Sequence, residues 1–185
     1  MDIPDTERLF LALPLPEAVR STLAAAAEPL PGVNWTRPEQ LHLTLRFVGN
    51  LEPRQADAMR EHLRAVRVAP FLLPIEGLGA FPPNRPPNVL WIGVGTGHPR
   101  LFQLRQRIDD AVLAAGVPLD VRTFHPHVTL ARVTADGAKP IAHWMHARRE
   151  FAAPPFRVEA FELFASELRP GGAVHTLKER FPLTG

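Results

Sequence analysis

Apolar and polar positions along this chain switch between two periods, and each switch marks an element. Residues 8–13 form a short apolar run closed by Pro14 and Pro16, which predicts a buried strand. Over residues 17–28 the period lengthens. Val19, Leu23, Ala26 and Leu30 recur at helical spacing until Pro29 and Gly32 end the pattern. Residues 41–48 alternate strictly, placing Leu41, Leu43, Leu45 and Phe47 on one predicted face and His42, Thr44, Arg46 and Val48 on the other. Pro53 stands where a helix would begin, and Met59, Leu63 and Val66 supply its apolar stripe. Residues 71–75 read as a strand, and 77–87, rich in Gly and Pro, as a loop. A strand over 89–94 precedes a long helix marked by Leu101, Leu104, Ile108, Val112 and Ala115. Then come a strand over 128–133, a short helix over 139–148, and a closing pair of strands over 156–166 and 174–181. Arg169-Pro170-Gly171-Gly172 is the turn signal that joins the last two. Strands interleaved with helices, some pairing locally, predict an α+β fold with mixed or antiparallel sheets.

Composition narrows the chemistry. At 185 residues the chain suits one domain, or two lobes sharing a core. It has no cysteine, which removes disulfides, thiolate metal sites, iron–sulfur clusters and a thiol nucleophile together. No apolar run approaches the ~20 residues that span a bilayer. The opening residues lack the features of a signal peptide. The expectation is therefore a cytoplasmic protein with no membrane partner. Lys and Arg number 21 and Asp and Glu 19, so the formal net charge is only +2 despite a pI near 9.9. Nearly all the cations are arginine, which suits bidentate phosphate recognition. The small net charge predicts a grip on a few nucleotides rather than on a long duplex.

One short pattern occurs twice. Leu41-His42-Leu43-Thr44-Leu45 and Pro126-His127-Val128-Thr129-Leu130 both read His, apolar, Thr, apolar, with their histidines 85 residues apart. Chance supplies roughly 0.1 such segments in a chain of this composition. A helix-length segment follows each copy, as a duplicated unit with a pseudo-two-fold axis would leave. Residues i and i+2 of a strand point the same way, so each copy offers an imidazole and a hydroxyl side by side. Two such strands brought together would surround one cleft with two His and two Thr. Imidazoles titrate near neutrality, so one can accept a proton while the other donates one. Threonine hydroxyls can donate to phosphate oxygens. No metal or other cofactor is required.

These residues resemble the 2H phosphoesterases, and within them the RNA 2′,3′-cyclic phosphodiesterases, also called 2′-5′ RNA ligases. The likeness runs through nearly all of residues 1–185. Residues 8–13 look like that family's first strand, and 41–49 like its first motif. Phe81-Pro82 and residues 85–93 resemble its central loop and strand, 124–132 its second motif, and 164–183 its C-terminal hairpin. His175 departs from it, standing where Tyr is expected. The resemblance implies a single bilobal duplicated unit with two sheets, helices outside, a central cleft and one motif in each lobe. It implies opening of a 2′,3′-cyclic phosphate at an RNA 3′ end to leave a 2′-phosphate, with 2′-5′ ligation as a side reaction. His127 would be the proton acceptor and His42 the proton donor. Thr44 and Thr129 would hold the phosphate, and Arg132 would add positive charge. On a straight strand Arg132 faces away from His127, so its role needs a bulge. Arg46 shares the predicted face of His42 and Thr44. Phe47, Phe81, Phe124 and Trp91 are candidates for stacking on a base, or for the core.

Two rival functions remain in view. One is a non-catalytic nucleotide or 2′-5′ oligoadenylate binding module on the same fold, for which paired proton-transfer groups would have no use. The other is a metal-dependent hydrolase built on His125 and His127, with His143 and His146 as further ligands. It leaves the first motif unexplained.

Overall fold

In the computed structural model, which describes residues 6–119 and 122–185, fourteen elements follow one another. They are β1 (Glu7–Pro14), α1 (Glu17–Ala25), β2 (Val33–Trp35), β3 (His42–Leu51), α2 (Pro53–Arg64), β4 (Phe71–Glu76), β5 (Leu78–Phe81), β6 (Val89–Ile92), α3 (Pro99–Ala114), β7 (Val128–Val133), α4 (Ala138–Ala147), β8 (Ala152–Val158), β9 (Ala160–Arg169) and β10 (Gly172–Pro182). The fold is α+β, as the period switches predict. The stretch read as a loop over 77–87 begins with a strand, β5, because Gly79 lies flat under the indole of Trp91. A Cβ at Gly79 would come within 2.1 Å of that ring. The single strand read over 156–166 is interrupted at Glu159, where β8 ends and β9 begins. The turn at residues 170–171 closes the last hairpin, with Gly172 in the left-handed region at φ 111°.

The main sheet runs β10-β9-β1-β3-β7-β6-β5, with β2 also on β7, and β4 pairs with β8 apart from it. Every ladder among the described residues is antiparallel; the parallel contact is the isolated bridge Glu76–Val94. The join at the centre of the main sheet is narrow. β3 and β7 pair only at Leu43 and Val128. Past that point β2 takes over the edge of β7, with Trp35 opposite Ala131 and Val33 opposite Val133. The sheet thus divides into two half-sheets that meet at one residue pair.

Leu43 and Val128 are fully buried, with Leu45 and Leu130, in a core shared with Met59 and Leu63 of α2 and Leu104, Ile108 and Val112 of α3. Burial on one face fixes the register. A slip of one residue would turn both histidines inward and both leucine and valine out.

Both motif strands carry a bulge at the same place. On β3, Leu11 of β1 faces Arg46 and Ala12 faces Thr44, so Leu45 is the extra residue. On β7, Leu90 faces Ala131 and Trp91 faces Thr129, so Leu130 is the extra residue. Each extra residue lies three places after its histidine. A bulge reverses the in–out parity of everything beyond it. Arg46 is therefore not on the face of His42 and Thr44. It is buried on the helix side, where its guanidinium meets Asp109 of α3 with two 2.7 Å hydrogen bonds. Arg105 bonds the same carboxylate at 2.9 Å. The strand-face reading of Arg46 as a substrate contact is thus corrected. It clamps α3 onto the back of the motif strand instead.

Burial pushes the Asp109 carboxyl up, and the ion pair with Arg46 opposes it. Removing the carboxylate takes from both Arg46 and Arg105 the anion they share. Asp109→Ala is expected to cost about 3 kcal/mol or more, read by urea unfolding. The Arg46→Met, Asp109→Leu double variant should recover only part of that loss, because Arg105 keeps its buried charge.

Candidate active site

The pair Leu43–Val128 sets the geometry of everything around it. In antiparallel register, His42 lies on the same side as Thr129, and Thr44 on the same side as His127. The four side chains are half-buried, on the face opposite the leucine and valine core. The charge of His127 acts on His42.

Each histidine is held the same way. His42 Nδ1 lies 2.7 Å from the carbonyl oxygen of Gln40, and His127 Nδ1 lies 2.7 Å from that of His125. A carbonyl only accepts, so Nδ1–H donates in both. Nε2 is left as the nitrogen available for proton transfer in each ring. The two residues that supply these carbonyls each stand two places before their histidine.

The bulge at Leu130 returns Arg132 to the face of His127 and Thr129, as its predicted role needs. It is exposed, paired to Val89 of β6 and Asn34 of β2, and its charge acts on His127. The bulge at Leu45 does the same for Phe47, whose ring is 58% exposed and 6.1 Å from that of Phe10. One half-sheet thus offers a guanidinium at the fifth position after its histidine, and the other offers an aromatic ring.

Aromatic rings frame both histidines. Phe10, buried, touches the rings of His42 at 5.1 Å and His175 at 4.9 Å. Phe81 and Trp91 lie 5.2 Å and 6.0 Å from the ring of His127. Phe124 is elsewhere, packed under Arg105 and against Phe102 of α3. Sequence reasoning missed Phe10, Gln40 and the placement of His175. Only His175 carried a signal, as a departure from an expected tyrosine. Among the described residues no three His, Asp or Glu side chains cluster as metal ligands would, and His143 and His146 are exposed on α4.

Burial holds the proton affinity of His42 below the ordinary imidazole range, and the charges of His175 and His127 add to that against the Gln40 carbonyl. Burial does the same to His127, with His125 and Arg132 adding and the His125 carbonyl opposing. Burial and Arg8 lower His175. A histidine whose affinity is depressed in the fold binds its proton more readily when unfolded. Stability therefore falls as pH drops through about 6.5, the ordinary imidazole value. The melting temperature should decline between pH 7.5 and 5, above the range in which carboxylates titrate. His127→Phe should flatten that slope, as thermal scans across the range would show.

The arrangement has counterparts. The model of the LigT like phosphoesterase family matches the chain twice, over residues 13–91 and 92–175, and each match contains one His-x-Thr pair. An RNA 2′,3′-cyclic phosphodiesterase of Thermus thermophilus is 35% identical over 190 residues, covering 96% of this chain and 91% of the relative. One of Aquifex aeolicus is 30% identical over 154 residues, covering 82% of each. The crystal structure of E. coli LigT in apo form superposes with a TM-score of 0.80 at 26% identity, covering 97% of this chain and 99% of that one. The same E. coli protein is also solved in complex with 3′-AMP, with a TM-score of 0.80 at 25% identity and coverage of 98% and 100%. With the family's pattern matched in both halves and relatives aligned across most of the chain, this protein belongs to the LigT-like phosphoesterase family.

Proposed function

We propose that this chain is an RNA 2′,3′-cyclic phosphodiesterase that works by paired-histidine acid–base catalysis. The observation that carries the reading is the Leu43–Val128 pairing, which gathers two imidazoles and two hydroxyls on one face with both Nε2 atoms free for proton transfer. The names of the relatives and the 3′-AMP complex of E. coli LigT support the substrate class.

In this reading Nε2 of His127 takes a proton from water, whose oxygen attacks phosphorus. The bond from phosphorus to the 3′ oxygen breaks, and His42 gives that oxygen its proton. A 2′-phosphate remains. Arg132 beside His127 favours that ring's neutral form, as a base requires. His42 faces no fixed cation among the groups that shift it, so it can charge when an anionic phosphate arrives. Thr44 and Thr129 donate to the phosphate oxygens, and Arg132 offsets the charge of the pentacoordinate state. Phe47 stacks on the terminal base. A 5′-hydroxyl in place of water gives a 2′-5′ linkage by the same steps. The chemistry belongs to the side chains and needs no cofactor. The substrate is a short RNA end in the cytoplasm, and the two half-sheets act as lobes of one unit spanning residues 1–185.

The test is hydrolysis of a short RNA ending in a 2′,3′-cyclic phosphate, with chelator present. His42→Ala and His127→Ala should each lower kcat/KM by roughly 10²–10⁴-fold, and wild type should yield only 2′-phosphate. Folded variants as active as wild type would overturn the mechanism. Activity lost to chelator would favour a metal site instead. A wild type that binds the RNA end without cutting it would favour the binding-module reading.

A further inference from the structure

His175 stands outside both motifs, on β10, yet its ring lies 5.4 Å from that of His42 and nearly perpendicular to it, at 86°. Two contacts bring it there. Phe10 packs against both rings, at 5.1 Å from His42 and 4.9 Å from His175. Gln40 fastens the hairpin to the start of β3: its Nε2–H donates to the carbonyl oxygen of Ala173 at 2.6 Å, while its own carbonyl accepts from His42 Nδ1. One residue therefore orients His42 and also anchors the strand that carries His175. Nδ1 of His175 is buried and has no hydrogen-bond partner. A structural histidine in a packed hairpin is ordinarily satisfied through such an atom.

We propose that His175 is a positioning residue for His42: it braces that ring from β10 and sets a second chargeable imidazole against it, so that the two take up protons as a coupled pair. The assignment of His42 as the acid rests on the function proposed above; the coupling itself does not. Two half-buried rings at this separation resist carrying two charges. The charged groups that face them are Arg8 on β1 and His127 on β7, both of which oppose further protonation. The charge of His175 is among the causes that lower His42. A depressed affinity makes His42 a stronger donor once a phosphate has charged it. A neutral ring at position 175 would keep the packing and lose this effect.

Histidine ring signals followed by NMR against pH in the free protein, beside pH profiles of kcat/KM, test this in wild type, His175→Phe and His175→Tyr. In both variants the His42 midpoint should rise by about half a pH unit. The alkaline limb of kcat/KM should rise with it, and the maximal rate should fall a few-fold. Two variants guard against one that does not fold, which a melting curve would reveal. A His42 midpoint within 0.1 unit of wild type in a folded variant would overturn the proposal and leave His175 as packing. The NMR arm needs no turnover. A wild type inert on cyclic phosphate would remove the proposed function while still deciding whether the two rings are coupled.

Discussion

Leu43 and Val128 hold the two half-sheets together at the centre of the sheet, and the site depends on that narrowness. Had β3 and β7 paired along their whole length, the two motifs would lie on a flat, closed surface. Instead β2 occupies the next stretch of β7, and among the described residues the half-sheets share no pairing beyond Leu43–Val128. The histidines and threonines flank the pair, so they sit at the seam between the half-sheets. The buried leucine and valine beneath them supply the constraint. Their burial forbids a register slip, and so forbids any other placement of the four polar side chains.

The paired bulges decide what else reaches the site. Each lies three places past its histidine, and each sends the next residue inward and the one after it outward. On β7 the inward residue is Ala131, which packs without demands, and the outward one is Arg132. On β3 the inward residue is Arg46, a buried charge that requires Asp109 and shares it with Arg105. The same backbone device thus gives one half-sheet a cation at the site and the other an aromatic ring. A symmetric pair of histidines acquires different neighbours, and with them different electrostatic surroundings.

Much of this was legible in the residues themselves. Alternation over 41–48 marked the first motif strand, 128–133 also read as a strand, and the repeated His-x-Thr spacing marked the candidate site. The sense of Arg46 and Phe47 was not legible. A bulge leaves no signature when the residues around it keep the alternation of a straight strand, and Leu45 looks like any strand leucine. Only the partner strand reveals that it is extra. Gln40 and His175 were hidden for another reason. They are 135 residues apart in the chain, and what joins them, the hydrogen bond from Gln40 to Ala173 of the hairpin, is a long-range contact that local pattern does not encode. Strand β5 was concealed by its glycine, which reads as a loop in sequence and serves in the fold as clearance for Trp91.

The central claim is that both histidines act on one phosphate at the seam between the half-sheets. A crystal structure with a nucleoside 2′-phosphate, the expected product, tests it most directly. The account predicts the phosphate between His42 and His127, within hydrogen-bond distance of both Nε2 atoms and of the Thr44 and Thr129 hydroxyls, with Arg132 alongside. A phosphate seated instead in the charged cleft of about 720 Å³ lined by Arg60, Arg64 and Lys178 would contradict it.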